Sequence, residues 1–159
     1  MDIYQVAIQM ERDSEALYRE LAERAADAGI KRICTLLAAD EAKHLAVIKQ
    51  MKEAAPPQMT ETAILSDAAA LFAQIEPEAF DLEGMQVEVY QQAQEIERKS
   101  QEYYVELAQQ VKAPAQKELV LKIADEERRH YWLLDHIIEF ISRPQTWLED
   151  AEFTHLEDY

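Results

Sequence analysis

The 159-residue chain has only two glycines, five prolines and one cysteine, Cys34. With so few turn residues, no alternating run bounded by them reads as a strand. A single cysteine excludes a disulfide framework within the chain, and no C-x-x-C thiolate pair exists. Cys34 itself reads as a small residue packed near the start of a helix. No apolar run approaches the ~18 residues of a membrane span, and no charged and apolar leader opens the chain. A cytoplasmic protein is the expectation. Positive charge is scarce as well: 16 Lys and Arg stand against 32 Asp and Glu, a net charge of −16. Nucleic acid and anionic membrane surfaces call for basic patches, so neither is an expected partner.

What is present favours helix. Ala, Leu, Glu, Gln, Lys and Arg dominate, and these are strong helix formers. The length suits one domain with its own core. Four long segments carry a 3.6-residue apolar rhythm. The first is expected from about Ile3 to Ala26, with Ala7, Met10, Ser14, Leu17, Tyr18 and Leu21 inward, and Gly29 in the turn after it. The second runs from about Ile30 to Glu53, with Ile33, Leu37, Ile48 and Met51 inward, and Pro56-Pro57 end it. The third runs from about Leu82 to Val111, with Asp81 as candidate N-cap. The fourth follows Pro114, from about Ala115 to Ile141, with Leu119, Ile123, Leu134, Ile137 and Ile141 inward, and Arg143-Pro144 break it.

Connection lengths set the topology. Helices one and two are joined by a few residues, and so are three and four, so each pair forms an antiparallel hairpin. Residues 54–80 are too long for a hairpin loop. They suit a crossover running the length of the bundle, with a short helix from Asp67 to Gln74 capped by Ser66. The predicted fold is all-α, a four-helix bundle in one domain over residues 1–159. Its parts are a first hairpin (1–53), the crossover (54–80), a second hairpin (81–142) and a C-terminal tail (143–159). Trp147, Phe153 and Leu156 suggest that the tail packs as an amphipathic segment.

The same pattern of metal-ligating residues is written twice, at a constant separation of 86 residues. Glu11 is matched by Glu97, and Glu41-x-x-His44 by Glu127-x-x-His130. The frame repeats too: Ala7 and Ala93, Tyr18 and Tyr104, Leu21-Ala22 and Leu107-Ala108. On the second and fourth helices the Glu and His positions are the missing members of the apolar stripe, so they face inward. Positions i and i+3 share a face, so each E-x-x-H projects both groups the same way. Glu97 is about 15 residues from the turn near Lys112-Ala113, and Glu127 about 14 residues beyond it. At roughly 1.5 Å per residue the two levels agree within a turn. All six side chains are expected to meet near mid-height.

Burying one unpaired ionised carboxylate costs several kcal/mol, and four together repel. The inward stripes contain no basic partners, whereas two divalent cations balance four carboxylates. Glutamate oxygen and imidazole nitrogen suit iron or manganese, and also accept zinc in vitro. Without thiolate ligands, an iron–sulfur or rubredoxin-type site is excluded. The plainer reading, exposed helix glutamates and two surface histidines, holds for any one residue better than for all six in register.

The segments M-E11-R-D-S-E-A-L-Y18-R-E-L-A, D-E41-A-K-H44, I-E97-R-K-S-Q-E-Y-Y104-V-E-L-A and D-E-E127-R-R-H130 resemble the ferritin-like di-iron carboxylate superfamily, and most of all its rubrerythrin branch. The C-terminal R-P-Q-T-W-L-E-D-A-E-F is similar to short rubrerythrin-like proteins. The resemblance covers nearly the whole chain. It implies two iron ions, with Glu11 and Glu97 as terminal ligands, Glu41 and Glu127 as bridges, and one imidazole each from His44 and His130. It implies reduction of peroxide or dioxygen, with electrons from an external donor such as a rubredoxin-like protein, and a homodimer. Two features depart from the pattern. Cys34 alone cannot build the rubredoxin domain of full rubrerythrins. The extra glutamate expected a turn beyond Glu97 is replaced by Ser100, with Glu102 nearby, which brings a ferroxidase into play. A metal-stabilised or apo helical interaction module is a further alternative. Tyr18 and Tyr104 lie seven residues after the lone glutamates; they either fill the core or hydrogen-bond to ligands and bound oxygen species.

Overall fold

The computed structural model describes residues 2–53 and 85–142. These form four α-helices: α1 (Ile3–Arg24), α2 (Ala28–Lys52), α3 (Met85–Gln110) and α4 (Pro114–Ser142). Among the described residues there is no strand. The expected crossover with its short helix and Ser66 cap, the Asp81 cap and the C-terminal tail all lie outside the described residues.

Local chemistry sets the ends. Asp2 caps α1: its side chain accepts from Tyr4 N–H at 3.0 Å, and Gln5 Oε1 accepts from Asp2 N–H at 3.3 Å, a reciprocal capping box. Asp27 caps α2, its Oδ1 accepting from Gly29 N–H at 2.7 Å and Ile30 N–H at 3.0 Å. This corrects one boundary. Gly29 is not in the turn but in the first turn of α2, because the Asp27 carboxylate satisfies two N–H groups that would otherwise lack partners. Pro114 opens α4, where its missing N–H costs nothing.

α1 packs along α2, and α3 along α4; across the hairpins α1 meets α3 and α2 meets α4. The core has two apolar clusters. One gathers the end of α1 (Tyr18, Leu21), the start of α2 (Ile30, Ile33), the start of α3 (Tyr90, Ala93) and the end of α4 (Ile137, Phe140). The other gathers Ala7, Met51, Tyr104, Leu107 and Val120 from the opposite helix ends. α1 is therefore antiparallel to both α2 and α3, while α2 and α3 run the same way. That is the polarity expected of two hairpins in register.

Most inward positions follow the apolar rhythm. Ile33, Leu37, Ile48, Met51, Ile123, Leu134, Ile137 and Ile141 are buried. Met10, Leu17 and Leu119 are only half-buried, and Val120 takes the core place beside Leu119. Cys34 is buried, its sulfur 3.8 Å from the Tyr90 hydroxyl. Burial pushes its thiol up to about 11, against the opposing effect of that hydrogen bond, so it is a protonated packing residue. No helix among the described residues is long and apolar enough to cross a membrane.

Candidate metal centre

In every helix the site residues fall between the two apolar clusters. Glu11 lies between Ala7 and Tyr18 on α1, and Glu97 between Ala93 and Tyr104 on α3. Glu41 and His44 lie between Ala38 and Val47 on α2, and Glu127 and His130 between Ala124 and Leu133 on α4. The structure brings all six together. They form two overlapping groups, Glu11–Glu41–His44–Glu127 and Glu41–Glu97–Glu127–His130, with one nitrogen or oxygen from each residue within 4.8 Å of the others in its group. Glu41 and Glu127 belong to both groups. All six are buried, none more than 1 % exposed.

The imidazoles lie nearly parallel, 5.9 Å between centroids and 19° between planes. His44 Nδ1 is 3.4 Å from Glu127, and 3.6 Å from both Glu11 and Glu41. His130 Nδ1 is 3.0 Å from Glu41, and 3.4 Å from both Glu97 and Glu127. Both rings therefore turn Nδ1 into the centre.

Four buried atoms of this set have no hydrogen-bond partner: Glu11 Oε2, Glu41 Oε2, His44 Nδ1 and Glu127 Oε2. Buried polar atoms are nearly always satisfied, and each orphan costs about 1–3 kcal/mol. Four of them in one enclosed carboxylate–imidazole cluster form a donor set that fits divalent cations.

Proton affinities follow the same geometry. Burial pushes Glu41 up to about 8, with the charges of Glu97 and Glu11 adding to it. Burial also lifts Glu127 well above the carboxylate range, with Glu41, Glu97 and Glu11 contributing. Burial works to raise Glu11 as well, but the nearby imidazole of His44 outweighs it and leaves Glu11 lowered. For Glu97, His130 chiefly outweighs burial in the same way. Burial opposes charging both imidazoles, yet the surrounding carboxylates raise His44 and His130 well above their usual value. With Glu41 and Glu127 protonated and both imidazoles charged, the metal-free centre is formally neutral. Two divalent cations supply the same positive charge as those four protons.

The tyrosines are bound to the site. Tyr18 donates to Glu97, and Tyr104 donates to Glu11. Each links the lone glutamate of the other half, so the bond crosses the pseudo-twofold. Both roles the sequence left open are observed: the hydroxyls bond to these carboxylates, and the rings fill the core. Ser100 is buried and faces inward with its counterpart Ser14, whereas Glu102 is 62 % exposed and paired with Arg98 at 2.6 Å.

Two functional positions escaped the sequence reading. His44 Nε2 lies 2.6 Å from Glu126, and His130 Nε2 lies 3.0 Å from Asp40. Each imidazole donates outward to the acid just before the shared glutamate of the other half. That fixes which ring nitrogen faces inward. A signal existed, since Asp40 and Glu126 are themselves 86 residues apart.

The bundle and its carboxylate–histidine core define the class: an all-α, ferritin-like four-helix protein with a site able to hold metal. The rubrerythrin family model matches residues 2–138, and the chain belongs to the rubrerythrin family, a ferritin-like di-iron family. No curated protein and no solved structure matches it.

Proposed function

We propose that this protein is a di-iron oxidoreductase of rubrerythrin type, reducing peroxide, or dioxygen, with electrons from an external redox partner. The observation that carries it is the enclosed six-residue set with its four unsatisfied polar atoms. In this reading Glu11 and Glu97 would each hold one ion, Glu41 and Glu127 would serve both, and His44 and His130 would each offer Nδ1. The mixed oxygen and nitrogen set suits iron, and also manganese or zinc; membership of a di-iron family favours iron. Two ferrous ions held by these residues would supply the two electrons that, with two protons, convert one H₂O₂ to two waters.

The chain's own residues orient and enclose. Tyr18 and Tyr104 hold Glu97 and Glu11 in place through O–H donation. Burial chiefly, and then the nearby carboxylates, raise both phenols, so they keep their protons as donors. Glu126 and Asp40 accept the outward Nε2–H bonds and leave Nδ1 of each imidazole facing inward. The apolar clusters above and below exclude water, which strengthens every charge interaction between them. Turnover then needs an electron donor, and a rubredoxin-like protein is the donor this reading assigns.

A second reading, ferroxidase activity on Fe(II), is favoured by one observation. Buried Ser100 stands where the resemblance expects another glutamate, and Glu102 points to solvent. Ferrous-loaded protein mixed with peroxide or with oxygen in a stopped-flow instrument separates the two. The peroxidase reading expects one fast reaction with peroxide that then stops and resumes when a reduced rubredoxin-like protein is added. Oxidation much faster with oxygen than with peroxide, and no response to the donor, would establish the ferroxidase instead.

A further inference from the structure

Lys43 lies outside the six-residue set yet touches both halves of its surroundings. Its Nζ is 3.5 Å from Asp40 Oδ1 and 3.4 Å from Glu126 Oε2. Those are the two carboxylates that accept from His130 Nε2 at 3.0 Å and from His44 Nε2 at 2.6 Å. A polar strap, His44–Glu126–Lys43–Asp40–His130, therefore joins the two imidazoles around the outside of the centre. Its side chains are 6 % exposed at Glu126, 13 % at Asp40 and 19 % at Lys43, so water screens them weakly. Two acids this close repel each other. Without the cation between them that repulsion is unbalanced, and the hold of both acids on their histidines loosens.

The pseudo-twofold is broken at this point. The counterpart of Lys43, 86 residues on, is Arg129, which pairs with Asp125 of its own helix at 2.9 Å. Lys43 thus reaches both outer acids, while its counterpart pairs within its own helix.

We propose that Lys43 is a positioning residue for both metal positions, holding Asp40 and Glu126 so that both imidazoles keep Nδ1 aimed inward. The proposal rests on the two-ion reading above. Its signature is that one substitution disturbs both ions. Loss of Asp40 alone disturbs the ion beside His130, and loss of Glu126 alone the ion beside His44.

The test is a Co²⁺ titration of the metal-free full chain, followed by visible absorption, with circular dichroism to show that each variant is folded. Wild type is expected to take two ions. Lys43→Met should weaken both binding steps by about tenfold or more, the scale on which partners of ligating histidines act. Lys43→Arg, which keeps the charge and the donors, should recover most of that loss, and Arg129→Met should bind as wild type does. Asp40→Ala and Glu126→Ala should each weaken one step. Should Lys43→Met not fold, Lys43→Gln gives the same comparison. Wild-type uptake of fewer than two ions overturns the two-ion reading and the proposal with it. Two ions in wild type, with unchanged affinity in the Lys43 variants or a loss confined to one step, overturns the role of Lys43 alone.

Discussion

Glu41 is caught between a proton and a metal ion, and the same holds for its counterpart Glu127. In the unfolded chain Glu41 loses its proton near 4.5, but in the metal-free fold only at about 8, chiefly through burial. Between those values the native state binds more protons than the unfolded state, so stability falls as pH rises. His44 and His130, both raised, act in the same direction: their stabilisation is present below 6.5 and lost as pH climbs through the folded values. Glu11 and Glu97, both lowered, act oppositely, but only as pH falls below 4.5. The melting midpoint of chelated protein is therefore expected to fall from about pH 5 to about pH 8, and metal affinity to rise over the same range because the ion displaces these protons. A midpoint that climbs with pH in the metal-free protein would contradict the proton distribution. The shared glutamates also differ from the terminal ones. Glu41→Ala or Glu127→Ala should remove both ions, and Glu11→Ala or Glu97→Ala only one. Elemental analysis checks this, and two ions retained equally in all four variants would refute it. The six positions were legible in the sequence because they interrupt an apolar stripe and recur in register. Asp40 and Glu126 were not. In a chain this acidic, an Asp or Glu beside another Glu looks like a solvated helix face, and only the contact across the bundle shows otherwise.

At the scale of the elements, each hairpin completes the site of the other. α2 and α4 carry two of the six residues each, and each also carries the acid that steadies the opposite imidazole. α1 and α3 exchange tyrosine–glutamate bonds in the same crossed manner. Backbone packing is closest within each hairpin, so the centre and its crossed bonds do much to join the two. Metal that binds only the folded state should stabilise it by about 2.7 kcal/mol when free ion stands a hundredfold above Kd. Denaturant unfolding with and without chelator measures this, and hydrogen exchange should slow most at mid-height of α2 and α4. If protein that held two ions unfolds at the same midpoint after chelation, the coupling between centre and fold is absent. The four long helices, their hairpin pairing and the Pro114 start were readable from apolar period and breakers. The α2 start was misjudged because Gly29 reads as a terminator, whereas the Asp27 side chain makes it part of a capped first turn.

For the molecule as a whole, the internal repeat in sequence becomes a pseudo-twofold in space. Its two halves share a formally neutral centre inside a chain of net charge −16. That negative field draws cations toward the protein, and the uptake rate of a divalent ion should fall as ionic strength rises. The family followed from the resemblance of the four ligand-bearing segments, and the architecture from the connection lengths and the absence of strand signals. The reaction did not, because the same six residues would serve either peroxide reduction or ferrous oxidation. Both catalytic readings of this site begin from two ions held in the core. The most direct test is anaerobic loading with Fe(II), removal of excess and elemental analysis of iron per chain, in wild type beside Glu41→Ala. Two ions per wild-type chain, lost in the variant, is the expected result. One ion or none in wild type, or two ions still present without Glu41, would contradict it.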